Sequence, residues 1–423
     1  MYDKLVYALV PSGVKSGKVY SVVGGDLTFT RATTATRINK DGFIEFVNSG
    51  VPRLNYPLVN GVVRSTPHLL LEPQRTNLVN YSEDFSSWTP DDVTFDSDAI
   101  IAPDGNQTAD LIYENTVSSE HRVLSNSISF TSGSKYTISV FGKFNGRVLA
   151  FHSTNQTNLP LNATFDLEIG NVVSSASGDA TIIKYPNGWY HCIVTTTSGG
   201  TGNAQVTFRT RDDDNNTSFV GDISKGMALW GAQVELGAYP TSYIPSFDGS
   251  PTSTRNAELA TSATAELNDK AGVLYVEVEG LNDLSEAHRY ITISDNTASN
   301  AIAIRFESDG TLDLVNYGPS LTSTIYTGEI NFAEKTKIAV QYGTATSDYK
   351  VYINGFDTPL SGSFSAQIMT GLDTVELTYP TNTLPFTGKV NQVLVFNDKL
   401  DSQIESLTSW RTFEEMASEL EYL

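Results

Sequence analysis

Residues 164–194 read TFDLEIGNVVSSASGDATIIKYPNGWYHCIV, and residues 229–246 read LWGAQVELGAYPTSYIPS. In the first stretch Thr164–Leu167 reads as a strand, Ile169-Gly170-Asn171 as a turn, and the residues after that turn as a second strand broken by Ser and Gly. Pro186-Asn187-Gly188 then turns the chain into Trp189–Val194, where apolar residues partly alternate, as in a strand with one face in a core. Turn residues recur roughly every 8–12 positions, the rhythm of an antiparallel sandwich rather than of βαβ units.

Working outward, the pattern delimits a sandwich over residues 67–246. Its strands are expected at Thr108–Tyr113, Val123–Phe130, Lys135–Phe144, Arg147–His152, Thr164–Leu167, Thr181–Tyr185, Trp189–Thr195, Ala204–Thr210 and Gly226–Leu236. Alternation in Lys135–Lys143 puts Tyr136, Ile138 and Val140 on one face. At the entrance, His68–Leu71 is a buried strand ended by Pro73, which has no N–H for a ladder. Phe85 and Trp88, three apart, fit one helical or 3₁₀ turn closing an end of the sandwich.

Residues 1–66 hold short β-like pieces at Lys4–Val10, Lys18–Val23, Asp26–Thr30 and Gly42–Val47, with Asn39-Lys40-Asp41-Gly42 as a hairpin turn. So short a segment buries little alone, so it is expected as an arm or subdomain packed on a neighbour. Residues 247–269, rich in Ser and Thr, read as a linker or an edge strand. Residues 270–423 read as a second sandwich, with an Asn354-Gly355 hairpin turn. A helix over Ser402–Tyr422 is capped by Asp401 or Ser402, with a restart at Thr412 that eases the crowding of Glu414, Glu415, Glu419 and Glu421.

The composition fits an all-β protein: 32 Gly, 39% hydrophobic residues and few long helix-forming runs. The single cysteine, Cys192, lies in an apolar strand and reads as a small buried hydrophobe. No run of 18 apolar residues is present, so no membrane insertion is expected, and Met1-Tyr2-Asp3-Lys4 lacks the plan of a secretion signal. The net charge of −21 is uneven: residues 1–66 carry 8 Lys and Arg against 4 Asp and Glu, whereas residues 251–423 carry 10 against 24. An acidic surface repels nucleic acid, so no nucleic-acid partner is expected. The basic first segment suits an acidic partner or the chain's own acidic domains, and Arg31 and Arg37 suit structural ion pairs.

No nucleophile elbow, HExxH, phosphate loop or dinucleotide fingerprint occurs, and the five histidines (His68, His121, His152, His191, His288) lack metal-ligand spacing. No catalytic residue is assigned and no enzyme activity is expected. The one ion-like stretch is Arg211–Thr217, where Asp212, Asp214 and Asn216 place oxygens at alternate positions. It suits either a solvated acidic turn or a Ca²⁺ site; it is no EF-hand, because Thr217 and Ile223 stand where Gly and Glu are required. No other cofactor is expected. Aromatic candidates for stacking on a sugar are Trp88, Trp189, Tyr190, Trp230, Tyr239, Tyr243, Tyr317, Tyr326 and Tyr379, each also suited to a core.

Two resemblances complete the reading. LLLEPQRTNLVNYSEDFSSW at the entrance, KYTISVFGKF, FDLEIGNVV with NGWYHCIV, and WGAQVELGAYPTSYIPS at the exit resemble the jelly-roll module of tailed-phage virion proteins, itself similar to carbohydrate-binding modules. FTRATTATRINKDGFIEFVNSGVPRLNYP resembles the segment that precedes it in such proteins. KIAVQYG, YKVYINGFD and FTGKVNQVLVFNDKLDSQIESL resemble the laminin-G/concanavalin-like family.

The fold class expected is thus all-β: a jelly-roll sandwich and a concanavalin-like sandwich, both antiparallel, with a β-rich N-terminal arm and a short C-terminal helix. The resemblance implies a structural virion surface protein (fibre, spike or decoration) made in a host cytoplasm. It implies other virion proteins as partners, contact with surface glycans and a homo-oligomer; trimers are common among fibres, although no heptads support a coiled coil. The alternatives are a glycan-binding receptor-recognition adhesin and, behind it, a polysaccharide-degrading enzyme.

Overall fold

A computed structural model describes residues 1–247, 253–281, 288–318, 322–361 and 364–410. Two antiparallel sandwiches make up the chain, as the strand rhythm requires. The first packs two six-stranded sheets. One runs in the order Val93–Ile101, Gln107–Glu114, Gly226–Leu236, Lys135–Asn145, Trp189–Thr197 and Asp179–Lys184. The other runs Thr89–Asp91, Arg122–Leu124, Val206–Arg211, Val148–Ser153, Asn162–Asp166 and Asn171–Ser177. Ile138, Val140, Cys192 and Val234 of the first sheet meet Leu149, Phe151, Phe165 and Phe208 of the second. Tyr136 joins this core, as the alternation required, and Phe85 and Trp88 close its end from a 3₁₀ turn with ring centroids 5.0 Å apart.

Lys135–Asn145 and Gly226–Leu236 are buried on both faces. The reason is a second layer: Phe141, Trp189, Trp230 and Tyr243 on the outer face of the first sheet pack with Ile44 from the N-terminal segment. This explains why Gly226–Leu236 is apolar on both faces, while Lys135–Asn145 alternates yet is buried on both. The strand expected after the Ile169-Gly170-Asn171 turn is Asn171–Ser177, whereas Val93–Ile101 was not expected; both lie at sheet edges with mostly exposed side chains.

The second sandwich pairs a six-stranded sheet with an eight-stranded one. The larger contains Thr336–Gly343, Ala271–Gly280 and Gly388–Phe396 at its centre. Three of its strands come from far away in sequence. Leu5–Leu9 pairs with Gly388–Phe396 (Leu9 opposite Val393), His68–Leu71 pairs with the same strand (Leu69 opposite Val390), and Arg53–Asn55 lies outside it. The strand expected at the entrance of the jelly roll therefore belongs to the other sandwich. Residues 1–66 supply Tyr7, Leu9, Val19, Leu27 and Phe29 to the same core as Ile291, Ile304 and Val340, so the arm is an integral layer of the C-terminal sandwich.

The stretch 247–269 also departs from a free linker. Ser253–Arg255 pairs with Arg75–Asn77, Leu259–Thr261 with Leu27–Thr30, and Ala263–Thr264 with Thr374–Glu376. Asn354 and Gly355 make the expected hairpin turn, both at positive φ (50° and 88°). The C-terminal helix is shorter than expected: it spans Gln403–Thr408, Ser402 makes no capping bond, and Ser409 is already extended. The expected restart at Thr412 and the four glutamates beyond it lie outside the described residues.

Charge closes the seam between these parts. Glu258, in the Ser/Thr-rich stretch, accepts from Arg31 Nη1 at 2.6 Å, Arg53 Nε at 2.9 Å, Arg53 Nη2 and the Glu72 amide at 2.9 Å. Glu72 in turn binds Arg53 at 2.8 Å, Arg255 at 2.9 Å, and the amide and hydroxyl of Ser242 at 2.8 and 2.6 Å. Burial alone would push the Glu72 carboxyl up, yet Arg255 and Arg53 outweigh it and hold it at about 2. Arg31 and Arg37 are both ion-paired as expected, Arg37 to Glu45 at 3.1 Å. Arg31, Arg37 and Arg53 of the basic N-terminal segment are thus matched by the chain's own carboxylates.

Candidate functional site

The outer face of the eight-stranded sheet carries a charged cleft. Along Ala271–Gly280, Leu274, Val276 and Val278 point into the core, and alternation turns Val273, Tyr275, Glu277 and Glu279 outward. Leu400 and, from the C-terminal helix, Ile404 cover Val273 and Tyr275 and leave Glu277 and Glu279 uncovered. On the neighbouring strand, Lys389 and Gln392 face the same way. The ladder slips between them: Glu277 lies opposite Gln392 and Val278 opposite Val390, so Asn391 is an extra residue with no partner. A bulge of this kind re-aims a side chain. Here it puts Asn391 in the cleft wall with a buried Nδ2 that makes no hydrogen bond among the described residues.

The resulting chamber has a volume of about 490 Å³. Its rim is the turn carrying Pro57, Val59 and Arg64 on one side and Trp410 on the other. Four cations line it (Arg64, Lys335, Lys337, Lys389) against two carboxylates. Glu279 is ion-paired to Lys389 and Glu277 to Lys335 at 3.9 Å. Lys337 donates to the Ser409 carbonyl at 3.3 Å and sits 3.9 Å above the Trp410 ring, a cation–π contact. His68 at the floor is neutral, since burial and then Lys389 and Lys335 hold its pKa well below the usual imidazole range.

Pro57, His68 and Lys389 also line a second chamber of about 260 Å³. This one is aromatic. Phe141 stacks on His191 (centroids 4.3 Å apart, planes 8° from parallel) and meets Tyr185 edge-on at 5.0 Å, with Tyr56 and Tyr243 in the same wall. Burial pulls His191 down to about 3, so this ring is neutral too. A charged chamber and an apolar one thus adjoin where the N-terminal segment, the jelly roll and the C-terminal sandwich meet.

The sequence candidates fall mostly elsewhere. Trp88, Trp189, Tyr190, Trp230, Tyr239 and Tyr317 are buried, while Tyr326 and Tyr379 are half-buried at the second sandwich; only Tyr243 reaches a chamber. The histidines brought together are His68 and His191; His152 lies on the other sheet of the jelly roll from His191. Asp212, Asp214 and Asn216 form an exposed turn closed on itself. Asp212 Oδ1 accepts from the amides of Asp214 (3.1 Å) and Asn216 (2.7 Å), and Oδ2 from Asn216 Nδ2 (2.9 Å). Among the described residues no group of three or more His, Cys, Asp or Glu is disposed to hold a metal ion. Cys192 is buried in the core, and burial pushes its thiol pKa well up. The residues missed were Tyr185, just before the Pro-Asn-Gly turn, Trp410, just past the helix, and Asn391, whose only signal is one residue too many in Gly388–Phe396.

No family model matches the sequence, and no curated protein is similar to it. Among solved structures, the chain is similar to the CBM40 domain of the Ruminococcus gnavus IT-sialidase, at 15% identity over 33% of this chain and 84% of that one, with a TM-score of 0.28. The same domain bound to α2,3 sialyllactose gives 15% identity, 33% and 83% coverage, and a TM-score of 0.28. Domains LG4-5 of the mouse laminin α1 chain give 12% identity over 66% of this chain and 86% of that one, with a TM-score of 0.24. The fold of this chain is the one given by its own ladders: all-β, with two antiparallel sandwiches.

Proposed function

We propose that this chain is a non-catalytic, glycan-binding protein of a tailed-phage virion surface. The observation that carries the binding half is the pair of adjoining chambers. A saccharide offers hydroxyls to charged and amide groups and C–H faces to rings; here Glu279, Lys389 and Asn391 line one chamber and Tyr56 and Tyr185 the other, with Lys389 shared between them. The volume of the larger chamber falls in the ordinary range for small-ligand sites, about 300–1,000 Å³. Binding rather than turnover is favoured because both carboxylates of the charged chamber are tied to lysines. The virion half rests on the sequence resemblance of residues 68–245 and of the segment before them.

A glycan array probed with the full chain tests the binding half. Saturable binding that falls in a Tyr185→Ala variant is the expected result; a blank array refutes it, and release of reducing ends from a bound polysaccharide would replace it with an enzyme. Proteomics of purified particles tests the location: the chain should co-purify with virions in stoichiometric copies, and recovery only from the lysate counts against it.

A further inference from the structure

We infer that the charged chamber takes a carboxylated saccharide, a uronic-acid-bearing oligosaccharide; this rests on the glycan reading and names its class. In a chain of net charge −21, one cleft gathers Arg64, Lys335, Lys337 and Lys389. The concentration of cations exceeds what its own carboxylates use. Lys335 and Lys389 answer Glu277 and Glu279. Lys337 has a carbonyl and a ring face as neighbours, and Arg64 is exposed with no carboxylate partner among the described residues. The surplus is therefore two positive charges facing an open volume of about 490 Å³.

The other groups say what carries the negative charge. Glu277 and Glu279 accept hydrogen bonds from hydroxyls, and the Asn391 side chain lines the same wall. A ligand with hydroxyls as well as an acid satisfies both sets. The two carboxylates also bound the charge density: a chain with several sulfates or phosphates per sugar would be pressed against Glu277 and Glu279, whereas one carboxylate per sugar is matched by the surplus. The bulge that brings Asn391 to this wall leaves its Nδ2 buried without a partner among the described residues, a cost that the sheet alone does not explain.

The test titrates the full chain with oligouronates, neutral oligosaccharides of equal length and oversulfated oligosaccharides, at low and at high salt. Oligouronates should bind, with affinity falling as salt screens the cleft. Arg64→Gln should weaken them by at least about fivefold, with unchanged thermal unfolding because Arg64 is exposed. Lys389→Gln is a second variant and should act in the same direction. Equal binding of neutral and uronate chains, untouched by Arg64→Gln, overturns this inference and leaves the glycan reading standing. Tighter binding of the oversulfated chains overturns the charge match. Binding of no saccharide from any class overturns both readings together.

Discussion

Replacing Glu258 by Gln tests the account of how the three parts of the chain are held together. Glu258 is fully buried and accepts four hydrogen bonds, three of them from Arg31 and Arg53. Three arginines (Arg31, Arg53, Arg255) share two carboxylates, Glu72 and Glu258, so removing one charge leaves three cations on a single anion. The amide would also turn a donor toward the Arg53 guanidinium or the Glu72 N–H. Breaking a buried pair in this way costs about 3–5 kcal/mol, a large part of the ~5–15 kcal/mol typical of a domain. With a urea slope of about 2–3 kcal/mol/M, the midpoint should fall by roughly 1–2 M.

Two probes separate the halves in a Trp410→Phe background, because the other three tryptophans, Trp88, Trp189 and Trp230, lie in the jelly roll while most of the remaining sheet is then seen only by circular dichroism. The far-ultraviolet transition should move first, and tryptophan fluorescence should lag behind it. Restoring neutrality with Arg31→Met in the Glu258→Gln background should recover part of the loss, giving a coupling energy above about 1 kcal/mol. Coincident transitions shifted by less than about 1 kcal/mol would show that the buried charges are not what joins the sandwiches.

Stability should depend on pH through two opposed sets of carboxyls. Burial pushes Glu83 up to about 7, Asp110 to about 6 and Glu376 to about 7. Their folded forms hold protons that the unfolded chain releases, so stability should decline as pH rises from about 4.5 to 7, and Glu83→Gln should remove up to about 3 kcal/mol of that decline. Glu72, held at about 2, acts oppositely: its contribution is present above pH 4.5 and is lost as pH falls toward 2. Thermal melts across pH 2–8 check both signs. Cys192 should react with a thiol reagent only as fast as the jelly roll opens; labelling at the rate of a free thiol in native buffer would contradict its burial. At the Asp212 turn, a bound Ca²⁺ would displace three hydrogen bonds already made within the loop. Melting temperature should therefore be the same in Ca²⁺ and in chelator, and in Asp214→Ala; a Ca²⁺-dependent rise would reinstate the ion site.

The strands were legible wherever one residue in two is apolar and the turn between them needs positive φ. Lys135–Asn145 and the Asn354-Gly355 hairpin are of this kind, since alternation and turn chemistry are local facts. What sequence could not show is which strand pairs with which over hundreds of residues. His68–Leu71 reads equally well as an edge of either sandwich, and only the pairing of Leu69 with Val390 decides. The polar stretch holding Glu258 looked like a tether because its anchors are an ion-pair cluster, short ladders and the small side chains of Ala260 and Ala263 rather than a run of large apolar residues. The cleft was invisible for the same reason: Arg64, Glu277, Lys337, Lys389 and Trp410 are unremarkable separately, and pairing between distant strands makes them neighbours.

Asn391 is where fold and function can be told apart. Its bulge breaks the alternation that otherwise runs through Gly388–Phe396: Val390 on one side of it and Val393 and Val395 on the other all reach the core. A sheet under selection for stability alone gains nothing from a buried amide nitrogen without a partner, which costs about 1–3 kcal/mol. Asn391→Ala keeps the bulge, removes that nitrogen and takes an amide out of the cleft lining, so it should leave the melting temperature unchanged or raise it while weakening saccharide binding. If the variant instead melts lower and still binds as before, the amide serves the sheet, and the argument that the wall is shaped for a ligand fails with it.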